Sequence, residues 1–342
     1  MKKWKGYEHG VNLGGWLSQC DHSRDRYENF IREEDIRRIA SWGLDHIRLP
    51  MDYNLMEDEE GNYKEDGFGY IDRTMEWCAK YKLNLILDLH KTCGFSFDAG
   101  EKEVGFFENK ELQERFYRLW EELARRYGGL HENVAFELLN EITDKSYGPI
   151  WNDIAAEAVR RIRKLAPETK ILIGGYWNNS VESVPDILLP PDANIIYNFH
   201  CYEPLIFTHQ GAPWIPEMDV NFRIRLEASY RQLDEASKGQ LNQITIPMDG
   251  LDPEKSLGEE YFERTFSKAV AVAEERGVAL YCGEYGVINR AEPEDALNWY
   301  RIIRRVFDRF GIGRAAWSYR EMDFGLVDAH MAGVIGELVK EL

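Results

Sequence analysis

Short apolar runs alternate along this chain with longer stretches whose apolar residues recur at helical spacing. A strand-like run over 10–17 closes in a Gly-rich turn, Gly14-Gly15. Ile36, Ile39 and Ala40 put an apolar stripe on a helix over 33–42, stopped by Gly43, and 44–50 reads as a second strand. A helix over 70–81 precedes a third strand, 83–89, which ends at His90. A helix over 110–127 precedes a fourth, which starts at Val134 and runs into Asn140-Glu141-Ile142. A helix over 147–165 stops before Pro167, and strands follow at 170–175 and 194–200. The pattern then resumes with a helix over 261–276, a strand over 278–284, a helix over 293–310, a strand over 314–317 and a final helix over 331–342.

The segment at approximately 203–260 breaks this rhythm. It is Pro-rich at first, then helical over 222–238, then loop-like, and it is too long for a bare connection. It reads as a small inserted subdomain after strand six, within one domain spanning 1–342. Eight strands alternating with helices predict a (β/α)8 TIM barrel, because parallel strands buried on both faces need helical crossovers. A doubly wound open sheet is the second choice.

Barrel active sites assemble at the C-terminal ends of the strands. The sequence places Arg48 after strand two, His90 after strand three, Asn140 and Glu141 after strand four, and His200 and Tyr202 after strand six. Glu284 follows strand seven and Trp317 strand eight. A strand that runs straight into an amide and a carboxylate needs a reason, since burying an unpaired acid costs several kcal/mol. Each residue also has a bland reading alone: Arg48 can pair with Glu137 inside the barrel, either histidine can be a hydrogen-bonded core group, and Trp317 can simply pack. Their coincidence at successive strand ends is what a structural reading would have to explain separately each time.

Composition narrows the chemistry. The 342 residues carry a formal net charge of −18, which repels nucleic acid and anionic membranes and favours a neutral partner such as polysaccharide. Ten Trp and 18 Tyr exceed what a core requires and suggest a stacking surface. The five cysteines follow neither zinc nor disulfide spacing. Met1-Lys2-Lys3 resembles a signal-peptide start, but no apolar region follows, so the expectation is a cytoplasmic protein, or a secreted one whose leader is absent from this sequence. No apolar stretch reaches membrane-spanning length, and without coiled-coil heptads a monomer is the default.

Two carboxylates facing one another across a barrel mouth suit glycoside hydrolysis, in which one attacks the anomeric carbon and the other protonates the leaving oxygen. A neighbouring Arg48 and a Tyr202 hydroxyl would keep the attacking carboxylate ionised. The main rival is a metal hydrolase, with Asp88, His90, Glu141, His200 and Glu284 as available ligands. There is no His-x-His after strand one and no H-E-x-x-H, so no metal is expected. The glycines at 10–15 lack dinucleotide spacing and no G-x-S-x-G occurs, so neither a nucleotide cofactor nor a serine nucleophile is expected.

Seven segments in order carry a family resemblance: His-Gly-Val-Asn-Leu-Gly-Gly-Trp at 9–16, His-Ile-Arg-Leu-Pro at 46–50, Leu-Asp-Leu-His at 87–90, Phe-Glu-Leu-Leu-Asn-Glu at 136–141, Asn-Phe-His-Cys-Tyr at 198–202, Tyr-Cys-Gly-Glu-Tyr-Gly at 281–286 and Ala-Trp-Ser-Tyr at 316–319. Together they resemble the family 5 glycoside hydrolases, in particular compact bacterial endo-β-1,4-glucanases with a helical insertion after strand six. The resemblance implies a retaining mechanism with Glu141 as acid/base and Glu284 as nucleophile. It implies that Asn140 holds the sugar 2-hydroxyl and that Arg48 and Tyr202 position the nucleophile. His200 would lie beside the pair, His90 would contact the sugar in subsite −1, Trp317 would form its floor, and Asp323 would touch substrate. The family's usual Asn-Glu-Pro is Asn-Glu-Ile here, a departure at Ile142.

Trp16, Trp151, Trp177 and Trp214 fall in or near expected loops and are candidates to stack pyranose rings. Phe207 and Trp214 place the insertion as a wall of the cleft. An open groove gives endo cleavage of β-1,4-glucan, as cellulose, mixed-linkage glucan or their oligosaccharides. β-Mannan and exo cleavage of β-1,3-glucan are alternatives on the same scaffold, and a non-catalytic sugar-binding barrel is the alternative from another class.

Overall fold

The computed structural model describes residues 1–98, 100–190 and 192–342. Eight parallel strands close into a barrel in sequence order: β1 His9–Asn12, β2 His46–Asp52, β3 Asn84–Lys91, β4 Val134–Glu137, β5 Lys170–Gly174, β6 Ile195–Cys201, β7 Ala279–Tyr285 and β8 Gly313–Ala316. Every residue of β2, β6 and β7 is buried, as expected for strands packed against helices outside and side chains inside. The TIM-barrel expectation is met, with helices Glu33–Ser41, Glu65–Tyr81, Lys110–Tyr127, Gly148–Ile162, Glu259–Arg276 and Pro293–Phe310 around the barrel.

Period-two alternation sorts the barrel interior into layers. At the bottom, Ile86, Ala135, Leu172, Ile196, Ala279, Tyr281 and Ala315 form an apolar plug sealed by Trp4 and Tyr7, whose rings stack 3.9 Å apart. Above it the lining turns polar: Asp88, Glu137 and Asn198, two residues beyond Ile86, Ala135 and Ile196, are fully buried, together with Asn12 of β1 and Arg48 of β2. This polar layer is the base of the site.

Three expectations are corrected. The helix over 222–238 is instead Tyr230–Gln240, started by a capping box in which Ser229 and Gln232 bond each other's backbone N–H groups. The final helix over 331–342 is only a 3-10 turn, Ala329–Met331, and a short helix, Ile335–Leu338, with Gly333 between them. The fourth strand ends at Glu137, short of the expected end at Asn140-Glu141. Beyond it Asn140 N–H bonds the Leu89 carbonyl, and Glu141 sits at φ 42°. Among its described residues the crossover from β5 to β6 carries the short segments Tyr176–Asn179 and Val181–Asp186 and no long helix.

Candidate active site

Arg48, at the centre of β2, organises the polar layer. Its Nε and Nη2 donate to Glu137 at 2.7 and 2.8 Å, a bidentate pair. Nη1 donates to Asn12 Oδ1 at 2.9 Å and to Glu284 Oε1 at 2.7 Å, and Nη2 also reaches Asn140 Oδ1 at 2.8 Å and Asp88 Oδ2 at 3.0 Å. Both bland and functional readings of Arg48 hold at once: it neutralises Glu137 and grips one oxygen of Glu284. Tyr202 Oη donates to the other oxygen, Oε2, at 2.8 Å.

Strict alternation would turn Glu284 away from the mouth, since Tyr281 faces inward. A bulge reverses this. Phe199 pairs with Cys282 but His200 pairs with Glu284, so β7 carries one extra residue, Gly283. The bulge is held by Asn198 Oδ1, which accepts from Gly283 N–H at 2.9 Å, and by Asn12 Nδ2, which donates to the Gly283 carbonyl at 2.9 Å.

Glu141 faces Glu284 across the mouth. One oxygen from each carboxylate and a ring nitrogen of His200 lie within 4.8 Å of one another. His200 Nδ1 contacts Glu141 Oε1 at 2.7 Å, and Asn178 Nδ2 donates to Oε2 at 3.0 Å. This triad could converge on a cation, but both Glu284 oxygens already accept hydrogen bonds and any ion there would face the Arg48 guanidinium.

Burial shifts several groups around the pair. Burial raises Glu141 above the ordinary glutamate value, against the lowering effect of the Asn178 hydrogen bond and of His90 and Arg48. Burial lowers the His200 imidazole to about 4, although Glu284 opposes the shift, so at neutral pH its contact with Glu141 is a hydrogen bond rather than an ion pair. Burial likewise raises the Tyr202 phenol far above its usual value, reinforced by Glu284, which keeps it a donor. Beneath them, burial pushes Asp88 up to about 7 in spite of Arg48.

His90 Nδ1 contacts Asp88 Oδ2 at 2.6 Å, while among the described residues its Nε2 has no partner; nor does Asn140 Nδ2. Two buried polar atoms left open beside a carboxylate pair suit sugar hydroxyls. The Trp317 indole lies parallel to the His90 ring, with centroids 5.7 Å apart. A Cβ on Gly14 would come within 2.8 Å of that indole, and Gly15 turns at φ +72°, which explains the glycine pair after β1.

The aromatic candidates divide sharply. Trp214 and Trp177 are about half exposed, at 49% and 48%. Trp214 packs near His209 and Phe324, and Phe324 joins Ala212 of the insertion and Trp317 in one cluster at the mouth. Trp16 is fully buried, stacked on Trp77 with its Nε1 donating to the Tyr27 carbonyl, so its expected place in the cleft is corrected to the core. Trp151 is likewise buried, bonded to the Gly174 carbonyl. Phe207, on the short helix Leu205–Thr208, is also fully buried and forms no cleft surface. All three have apolar area that the core captures before the cleft can. Asp323 lies half-buried in a left-handed turn after β8, tied to Asn289 through its carbonyl rather than its carboxylate.

Strand-end reading passes over Asn178, because β5 ends in Gly174-Gly175 and offers no side chain to notice. Phe97, edge-on to His90 at 5.0 Å, is also missed, lying on a long loop without periodicity.

Residues 4–323 match the family model described as Cellulase (glycosyl hydrolase family 5). Cellodextrinase A of Ruminococcus flavefaciens is 50% identical over 314 residues, covering 92% of this chain and 86% of that protein. Endoglucanase C of Acetivibrio thermocellus is 37% identical over 341 residues, covering 98% of each. Among solved structures, an endoglucanase from the hyperthermophilic Thermotoga maritima superposes with a TM-score of 0.76 at 22% identity, covering 98% of this chain and 97% of that one. The cellulose synthase subunit Z of Clostridioides difficile does so at 0.77 and 22%, covering 98% and 99%.

Proposed function

This chain belongs to glycosyl hydrolase family 5 and is a glycoside hydrolase, and on that premise we propose that it cleaves β-1,4-glucan internally by double displacement with retention. The observation that carries the reading is the pairing of Glu141 and Glu284 at the barrel mouth in unlike surroundings: burial favours the protonated form of Glu141, while Arg48 and Tyr202 donate to both oxygens of Glu284. Glu284 attacks the anomeric carbon as the bond to the leaving oxygen breaks, and Glu141 delivers its proton to that oxygen. Once Glu284 is esterified its charge is gone, the proton affinity of Glu141 falls, and Glu141 takes a proton from the water that opens the ester.

The unpartnered Asn140 Nδ2 suits the sugar 2-hydroxyl, and His90 Nε2 with the Trp317 face suits the ring bound at the cleavage site. Trp214, half exposed and packed beside Phe324 and Trp317, supports the insertion as a wall of the cleft. The substrate assignment draws on the relatives, whose names are cellodextrinase and endoglucanase. The cellodextrinase relative also favours short cello-oligosaccharides as a second substrate class.

Glu284→Gln is expected to lower kcat on soluble cellulose by at least about a thousandfold with unchanged circular dichroism. Near wild-type turnover by that variant, or an inverted first product by anomer-resolved NMR, defeats the assignment. Viscosity against reducing ends on carboxymethylcellulose, lichenan, laminarin and mannan decides linkage and endo action. Among the described residues no helix is long and apolar enough to cross a membrane.

A further inference from the structure

Between β5 and β6 the chain takes three consecutive left-handed steps at residues with side chains: Trp177 at φ 50°, Asn178 at φ 55° and Asn179 at φ 55°. L-residues avoid this region, asparagine least, and three in a row persist only where the surroundings hold them. Here the ties run to the catalytic pair's acid and to His200, which contacts it. Asn178 N–H bonds the carbonyl of Ile142, the residue after Glu141, at 2.9 Å, and its side-chain amide bonds Glu141 Oε2 at 3.0 Å. Asn179 is buried against His200, with Nδ2 and Nε2 3.4 Å apart, and Ser180 bridges to the His200 backbone. Gly174 leaves the space: a Cβ there would lie 2.2 Å from the Asn179 amide.

We infer that Asn178 is a positioning residue for the acid/base, the donor that, opposite His200, fixes the plane of the Glu141 carboxyl and shares the charge it acquires on giving up its proton. The inference rests on the acid/base assignment above. When the glycosidic bond breaks, its electron pair stays on the leaving oxygen, the proton moves there from Glu141, and the new carboxylate holds hydrogen bonds on both oxygens. His200 alone would leave Oε2 without a donor and the carboxyl free to rotate. The other groups facing Glu141 are Arg48 from β2, Asp88 and His90 from β3, Glu284 from β7 and Tyr202 after β6. Asn178 is the donor supplied from β5, and it is solvent-exposed, on the side of Glu141 where Trp177 stands half exposed with Lys145 Nζ 5.1 Å above its ring.

The test compares Asn178→Gly, which accepts the left-handed backbone while removing the amide, with Asn178→Asp, which keeps the shape and adds a like charge. Each is assayed on cellotetraose, whose leaving group needs a proton, and on dinitrophenyl cellobioside, whose leaving group does not. Asn178→Gly should lower kcat/KM on cellotetraose about tenfold, spare the activated substrate, and move the alkaline limb of the kcat/KM profile to higher pH, because the carboxylate loses a stabilising donor. Asn178→Asp should move that limb further in the same direction. Equal losses on the two substrates, or an alkaline limb that stays put in both variants, would overturn the role. Glu141→Gln measured alongside must show the same selective loss in exaggerated form; if it does not, the acid/base assignment itself fails.

Discussion

Replacing Arg48 with methionine tests whether the polar layer is held by one charge. The guanidinium serves three buried carboxylates, Glu137, Asp88 and Glu284, and two amides, Asn12 and Asn140. Removing one partner of a buried ion pair costs about 3 to 5 kcal/mol. At about 2 cal/mol/K of unfolding entropy per residue, a chain of 342 residues should lose on the order of 4 to 7 °C of Tm at pH 7. The loss should depend on pH. Burial already raises Asp88 to about 7 and raises Glu137, with Arg48 holding both down, so without Arg48 both rise further. A carboxylate whose folded pKa exceeds its unfolded value contributes stability below the unfolded pKa, near 4, and loses it as pH rises through the folded pKa. The gap between wild type and Arg48→Met should therefore be small near pH 4 to 5 and largest near pH 8, by calorimetry across that range. Arg48→Lys keeps the charge but not the fork, so its smaller gap should change little with pH. A gap for Arg48→Met that is flat in pH, or under about 1 kcal/mol at pH 8, would refute the argument.

Trp16→Ala should cost about 3 to 5 kcal/mol of stability, since a fully buried indole leaves a cavity, while KM of the folded fraction stays unchanged; a raised KM with unchanged Tm would restore Trp16 to the cleft. Trp214→Ala should change stability by less than about 1 kcal/mol yet raise KM for cellotetraose more than for dinitrophenyl cellobioside, and an unchanged KM for every chain length would remove Trp214 from the substrate path.

Much of the architecture is local information. Each apolar run and each polar residue that ends it is readable without contacts, because strand periodicity and helix caps are set by neighbours in sequence. The misplaced insertion helix shows the same rule, since the Ser229 and Gln232 pair that starts it is a local signal. What the chain writes locally is the order of strands, the Asn140-Glu141 and Glu284 pair and the excess of aromatic rings.

Exposure is not local. Trp16, Trp151 and Phe207 read as well as Trp214 for a sugar platform, and only packing decided that the first three fill the core while Trp214 stays at the rim. The bulge at Gly283 that turns Glu284 inward depends on Asn12 and Asn198 from two other strands, and Asn178 gains meaning only when the β5 turn meets Glu141. The proton affinities of Glu141, His200 and Asp88 are likewise decided by desolvation, which exists only once the barrel closes. By itself the sequence determined which residues stand at the strand ends; the tertiary structure decided which of them face one another and in what state of charge, because both depend on groups brought together from distant parts of the chain.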